Sequence, residues 1–521
     1  MRRITLGVVL SLLVFAPALA ATNINIAQGA LQGTTDSGIT VFKGIPFAQP
    51  PIGPLRWRAP QPASSWSGTR DASAFGPVCP PAKLSLLAKL KPHLKLPQSE
   101  DCLTLNVWSP AASPNARLPV MVWIYGGSFR NGSSALPLYD GVELAKHGVL
   151  VVTFNYRLGR LGFFDLPALA AEHPNEPTGN FGLLDQIAAL AWVKHNIANF
   201  GGDPDNVTIF GESAGGMSVN NLMVSPLARG LFAKAISESG LGFGTIPTTA
   251  EAQFAATAFA ERESAEGASA PATLRSLSVD AILDDEANSS VTSTAPMIDG
   301  AVITDQPTLL FAQGKMAHVP YLTGSNSNEA TLMPEFGTTS KATLEHLGDQ
   351  LAFVRKAYEQ NGTLNDDEFG RQIFSDFVFA SGAQGLAAFA AKNGAPAYVY
   401  HFDYIADAQR TISEGVGHGG ELAYIFGING LSRIPGMSIV TKFVTAKDLG
   451  IVAMMQDYWT NFAKTGNPNG PGLPQWAPTS AAKPQTLVVN DETKSVEGFR
   501  RAQIAIAYAG WLKRAGIPVP N

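Results

Sequence analysis

Cysteine is nearly missing from this sequence: Cys79 and Cys102 are the only two in 521 residues. No C-x-x-C pair and no H-E-x-x-H segment occurs, and the eight histidines are scattered. That excludes a disulfide-dense scaffold and every common zinc spacing. Charge is also sparse, at 15% of residues, with 42 acidic against 37 basic side chains. A mildly acidic chain has no global attraction for nucleic acid or anionic lipid. Internal repeats, Gly/Ser linkers and charged linkers are absent, and the 51 Gly and 36 Pro are spread along the chain. Beyond the N-terminus no run is long and apolar enough to span a bilayer.

What is present is 45% hydrophobic content and a mean hydropathy of +0.07. That is the balance of a globular protein, which at this length buries roughly three quarters of its unfolded surface. Met1-Arg2-Arg3, an apolar run from Ile4 to Phe15 and Ala18-Leu19-Ala20 have the order of a signal peptide ending at residue 20. A buried N-terminal helix is the alternative. On the first reading the chain is exported, to the periplasm or beyond, and carries 35 basic against 42 acidic residues, a net charge of −7. Export makes a Cys79–Cys102 disulfide the natural expectation, worth about 3 kcal/mol by loop closure. Two buried free thiols are the alternative.

Short runs rich in Val, Ile, Tyr and Phe read as buried strands. They are Leu105 to Trp108, Pro119 to Tyr125, Val149 to Tyr156, Val207 to Phe210, Ala233 to Ser237, Val319 to Thr323 and Ala397 to Phe402. Helical spacing lies between many of them. In Leu183 to Asn199 the residues Leu184, Ile187, Ala188, Ala191, Trp192 and His195 share a face. Thr249 to Glu263 and Met454 to Phe462 also read as helices. Alternating strands and helices imply an α/β fold with a mostly parallel sheet covered on both faces, in one large domain over residues 21–521.

The sharpest motif is Gly211-Glu212-Ser213-Ala214-Gly215, a G-x-S-x-G directly after the strand Val207 to Phe210. Small neighbours let the chain reverse into a helix and lift the Ser213 hydroxyl above the sheet. A Gly-rich turn whose serine caps the helix is the plainer reading. A serine nucleophile needs a base, and the base needs an orienting carboxylate. Beyond Ser213 lie His318, His346, His401 and His418. His401 falls inside a strand, His346 on a helix, and His318 too early to follow the acid. His418 sits in the glycine-rich loop Gly415 to Gly420, where a base should be delivered. Glu329, just after the strand Val319 to Thr323, is the natural carboxylate, with a helix-capping role as alternative. The amide of Ala214 is one oxyanion donor. Gly126-Gly127-Ser128-Phe129 reads equally as an oxyanion loop or an ordinary turn.

Taken together these residues resemble the type B carboxylesterase family, which includes cholinesterases and bacterial para-nitrobenzyl esterases. The matching stretches run from about Gly29 to Pro468. They include Phe42 to Ala48, Pro50 to Gly53, Glu100 to Trp108, Asn155 to Gly159, Gly179 to Gln186, Gly211 to Gly216 and Asn461 to Gly466. The resemblance implies an α/β-hydrolase fold and a triad of Ser213, Glu329 and His418. It places Gly127, Ser128 and Ala214 at the oxyanion positions, with Glu212 and Glu421 supporting the base. It also equates the 79–102 segment with the family's first disulfide loop. No metal or organic cofactor is implied, and the partner is a small-molecule ester; no oligomeric state follows.

Two departures bear on substrate. The family's H-G-G-G-F stands here as Tyr125-Gly126-Gly127-Ser128-Phe129, so a hydroxymethyl group replaces a hydrogen in the oxyanion loop. Cholinesterases also carry a tryptophan ten residues before the second cysteine, to stack a quaternary ammonium. Here that residue is Pro92, and residues 79–102 hold no Phe, Tyr or Trp. The loop is instead basic, with Lys83, Lys89, Lys91, His93 and Lys95. The expectation is an exported carboxylesterase that is not a cholinesterase. The rivals are a lipase, with the leucines of this loop as a lid, and a non-catalytic binding protein on the same fold.

Overall fold

The computed structural model describes residues 22–81, 97–242, 244–284, 294–428, 443–514 and 517. The expected signal segment and the basic, leucine-rich part of the 79–102 loop lie outside them.

The strands are β1 (Thr22–Ile26), β2 (Gly29–Asp36), β3 (Ile39–Pro46), β4 (Thr69–Asp71), β5 (Thr104–Ser109), β6 (Leu118–Ile124) and β7 (Leu150–Phe154). They continue as β8 (Gly202–Glu212), β9 (Lys234–Glu238), β10 (Tyr321–Asn326), β11 (Ala397–Phe402), β12 (Gln485–Val489) and β13 (Lys494–Glu497). One sheet runs β1-β2-β3-β5-β7-β6-β8-β9-β10-β11-β12-β13, with β4 beside β2. Strands from β7 to β12 are mutually parallel, and antiparallel strands close both ends. The parallel block is apolar on both faces: Val120, Met121, Val122, Trp123 and Ile124 are fully enclosed. Strands buried on both sides lose the two-residue alternation and read as continuous apolar runs. That is why the sequence reveals β5 to β11.

The N-terminal strands behave differently. β1 alternates half-buried and exposed residues, and β4 is exposed throughout. β1 turns Ile24 and Ile26 to the core and Asn23 and Asn25 to solvent, an alternation too short to stand out, and β4 shows no hydrophobic pattern. The helices that frame the site are α1 (Phe181–Asn196), α2 (Ala214–Val224), α3 (Thr249–Arg262), α4 (Asp366–Ser375), α5 (Ser381–Lys392) and α6 (Ala446–Thr465). Capping boxes open α3, α4 and α6 at Thr248, Asn365 and Thr445. The stripe expected for α1 is not its most buried one. Ile187, Ala188 and Ala191 are only half-buried and His195 is exposed, whereas Leu183, Gln186, Ala189, Leu190 and Val193 are enclosed. A helix covered on more than one side has too weak an amphipathic signal to show which face meets the sheet. Helices α4 and α5 are joined through the π-helical turn Asp376–Ala380. The combined helix is long and apolar enough to cross a membrane, but 78% of its most apolar window is buried inside the molecule.

Cys79 and Cys102 form the expected disulfide, with S–S 2.02 Å.

Candidate active site

All the expected site residues gather at the carboxyl ends of the parallel strands, the edge where α/β sheets bind ligands. Ser213 stands between β8 and α2 with φ 59° and ψ −125°. For a residue with a Cβ this left-handed backbone is strained, and surrounding structure must hold it. Two interactions do so: the Ser213 N–H donates to the Glu238 carbonyl at 2.9 Å, and its carbonyl accepts from Met217 N–H at 2.8 Å. The glycines are needed because the elbow packs against β6. A Cβ on Gly215 would sit 1.9 Å from the Ile124 carbonyl oxygen, and one on Gly211 2.6 Å from the same atom. Ser213 is half-buried while Gly211, Glu212, Ala214 and Gly215 are buried, so the elbow presents this one side chain outward.

β10 carries the acid. Glu329 begins a short turn after the strand and is completely buried. Its Oε1 accepts from the Asn326 N–H at 2.7 Å and from the Ser239 hydroxyl at 2.6 Å. Its Oε2 meets His418 Nδ1 at 2.5 Å. His418 arrives on the loop after β11, and its own N–H donates to Thr331 Oγ1 at 3.0 Å. The two loops are further stitched by Asn328 N–H to the Val416 carbonyl, 2.9 Å, and Val416 N–H to Ser327 Oγ, 2.9 Å. Phe379, in the π-helical turn, lies against the imidazole with ring centroids 5.3 Å apart.

The other ring nitrogen is the informative one. His418 Nε2 lies 2.9 Å from Glu212 Oε1, yet neither atom has a well-formed hydrogen bond to a described residue. Burial alone lowers the basicity of this imidazole, but the Glu212 and Glu329 carboxylates outweigh it and hold its pKa well above the ordinary value. The two carboxylates thus favour the charged form of the imidazole. Among the described residues Glu421 makes no hydrogen bond or ion pair with His418; its Oε2 accepts from Asn326 Nδ2, linking it to the acid-bearing strand. Burial, with the Glu212 and Glu329 charges adding to it, pushes the Glu421 carboxyl up to about 8.

Gly127, Ser128 and Phe129 have φ of 113°, 56° and 58°, which turns the loop after β6 back toward the elbow. A Cβ on Gly126 would stand 2.8 Å from the Ser213 Cβ. No described residue takes the N–H of Gly127, Ser128 or Ala214, so three donors remain free beside Ser213. The loop is anchored where Gly159 N–H donates to the Phe129 carbonyl at 2.7 Å. Behind it the buried Arg157 grips Asp185 through two nitrogens at 2.8 and 2.7 Å.

Three groups escaped the sequence reading: Ser239, Asn326 and Glu238. Glu238 is fully buried, pairs with Glu212 across β8 and β9, and accepts from Trp459 Nε1 at 2.6 Å. Burial holds its carboxyl well above the usual range, reinforced by the Glu421 charge. The signal for Ser239 and Glu238 was their place: Ser237-Glu238-Ser239-Gly240 closes β9 and ends in glycine, beside the nucleophile motif that closes β8. Among the described residues no group of three His, Cys, Asp or Glu is placed to hold a metal ion.

Comparison with known proteins agrees with this geometry. The family model described as "Carboxylesterase family" matches residues 20–506. The chain belongs to the carboxylesterase family. It is 37% identical to the para-nitrobenzyl esterase of Bacillus subtilis, across 89% of this chain and 94% of that protein. It is 34% identical to a fumonisin B1 esterase of Sphingopyxis macrogoltabida, across 91% of this chain and 87% of that one. Among solved structures it resembles a carboxylesterase of Geobacillus stearothermophilus with TM-score 0.78, 32% identity and coverage of 92% and 99%. The fold is that of the α/β-hydrolases, and the chain is a serine hydrolase acting on carboxylic esters.

Proposed function

We propose that the protein is an exported carboxylesterase working through an acyl-enzyme on Ser213, and that it is not a cholinesterase. The observation that carries the catalytic part is the 2.5 Å contact of Glu329 with His418 Nδ1 beside a strained Ser213. With Nδ1–H donated to Glu329, a deprotonated His418 keeps its lone pair on Nε2, facing the elbow. Nε2 takes the Ser213 proton as Oγ attacks the ester carbonyl. The imidazolium so formed is stabilised by Glu329 and Glu212. The oxyanion is received by the amides of Gly127, Ser128 and Ala214. His418 then protonates the departing alcohol, and a water attacks the acyl-enzyme by the same route in reverse.

Two sequence features support the rest. The basic, apolar and small-residue segments of the first twenty residues support export. The lack of any aromatic residue between Cys79 and Cys102 removes the side chain that would stack on a quaternary ammonium.

Hydrolysis of para-nitrophenyl esters from acetate to palmitate, with acetylthiocholine alongside, tests this reading. The expectation is Ser213-dependent turnover strongest on short acyl chains and negligible turnover of the choline ester. A maximum on palmitate would replace it with a lipase, and brisk acetylthiocholine turnover would refute the exclusion of cholinesterase activity. Full activity in Ser213→Ala would remove the nucleophile assignment.

A further inference from the structure

Glu238 closes β9 at the point where the site is tied together. Its carbonyl accepts the Ser213 N–H, and the next residue, Ser239, donates to Glu329. Its side chain has no part in the reaction described above. That side chain is fully enclosed; Oε1 accepts from Trp459 Nε1 at 2.6 Å, and Oε2 has no partner among the described residues.

The charges here do not balance. Glu212 and Glu238 are neighbours across β8 and β9, and Glu421 is joined to Glu329 through Asn326. All four carboxyls are buried, and their only ion pairs among the described residues are those of Glu212 and Glu329 with His418. One imidazole cannot neutralise four carboxylates, and an unpaired buried carboxylate takes up a proton rather than stay ionised.

The hydrogen bonds require a proton as well. Around these carboxyls the enclosed oxygens without a donor are Glu212 Oε1, Glu238 Oε2, Glu421 Oε1 and Asn326 Oδ1. The unpartnered groups able to donate are His418 Nε2, in the charged imidazole, and the Tyr400 hydroxyl, on which all four carboxylates act. Four acceptors face two donors. A proton on Glu238 Oε2 makes three of each, and buried polar groups are normally paired. Glu329 is already bonded through both oxygens, and Glu212 faces the imidazole. Of the charges acting on Glu238 that of Glu421 is the largest, ahead of Glu212; Tyr139 is a further titratable neighbour.

We propose that Glu238 is a positioning residue that works as a neutral carboxylic acid, donating from Oε2 to Glu421 Oε1. This completes a chain from Trp459 through Glu238, Glu421 and Asn326 to Glu329, whose Oε1 accepts the Asn326 N–H at 2.7 Å. A carboxyl kept neutral by its surroundings can donate at neutral pH, as an ionised one cannot. The positioning role rests on the triad proposed above; the protonation does not.

Infrared difference spectroscopy of the native chain against Glu238→Gln, at about pH 9 where Glu421 is largely ionised, tests the protonation. The native chain should show a protonated carboxyl band that the variant lacks; no such loss would overturn the proposal, whatever the activity. Kinetics test the role. Glu238→Gln keeps a neutral group with a donor, so it should retain most of kcat, and the acid limb of kcat/KM should stay in place. Were Glu238 ionised, the variant would lose a negative charge near His418 and its limb would move to lower pH. Glu238→Met removes the donor and should lower kcat about tenfold, the loss of one hydrogen bond, with KM little changed. A melting curve checks that it folds; if it does not, the infrared band and the Glu238→Gln profile decide. A shifted limb in Glu238→Gln, or equal kcat in Glu238→Gln and Glu238→Met, would overturn the proposal. Turnover that survives Ser213→Ala would instead refute the triad, on which the infrared band does not depend.

Discussion

Glu212→Gln removes one of the two carboxylates flanking His418 while keeping the shape of the elbow. In the native protein Glu212 Oε1 is 2.9 Å from Nε2, and both side chains are nearly enclosed, at 7% and 11% exposure. Both charges are delocalised, so their effective separation is nearer 4 Å. At that distance two unit charges interact by about 4 kcal/mol at an effective dielectric of about 20. Solvent screening reduces it, and losing the carboxylate charge lowers the His418 pKa. The direction follows from the sign of the effect. The carboxylate favours the imidazolium and raises the pKa, and the imidazolium cannot accept the Ser213 proton. Activity of the native enzyme is therefore low at acid pH and rises as pH passes the raised His418 value. The variant reaches its plateau at lower pH, although the plateau itself falls because Glu212 no longer stabilises the imidazolium. The assay is kcat/KM for para-nitrophenyl acetate across about pH 5–10, which reports ionisation in the free enzyme. An acid limb that stays put, or moves upward, in Glu212→Gln would refute the electrostatic account of His418.

Glu329→Gln should lower kcat by about 10³–10⁴-fold with little change in thermal stability, since the amide favours the wrong imidazole tautomer; steady-state kinetics and a melting curve check both. Gly215→Ala should destabilise the fold by about 2–4 kcal/mol, because its Cβ would sit 1.9 Å from the Ile124 carbonyl oxygen; urea unfolding measures this. Cys79→Ser should lose about 3 kcal/mol through the Cys79–Cys102 loop. Reduction of the native protein before the same unfolding curve should reproduce that loss.

How much of this was legible beforehand depended on burial. The parallel strands show in the sequence because both faces are covered, and β11 was bounded at Ala397 and Phe402. The approach of Glu329 and His418 to the Ser213 elbow was legible because each follows a parallel strand, and these strands end at one edge. Strands β1 to β4 were not: β4 is exposed, β1 is short, and the apolar run of β3, buried at Ile39, Val41, Phe42 and Ile45, is broken by Lys43 and Gly44. The α1 stripe was misread because that helix is packed on more than one side. Contacts between distant loops were invisible in one dimension. Nothing in the order of residues says that Ser239 reaches Glu329, that Asn326 joins Glu421, or that Glu212 faces His418.

The central claim is that Ser213 is the nucleophile and His418 its base. Mass spectrometry of the intact chain, then of its peptides, after reaction with a fluorophosphonate tests it most directly. The account predicts one adduct per chain, confined to the peptide bearing Ser213, forming faster as pH rises and slowed at least about a thousandfold in His418→Ala. An adduct on another residue, or undiminished labelling of Ser213 in His418→Ala, would contradict it.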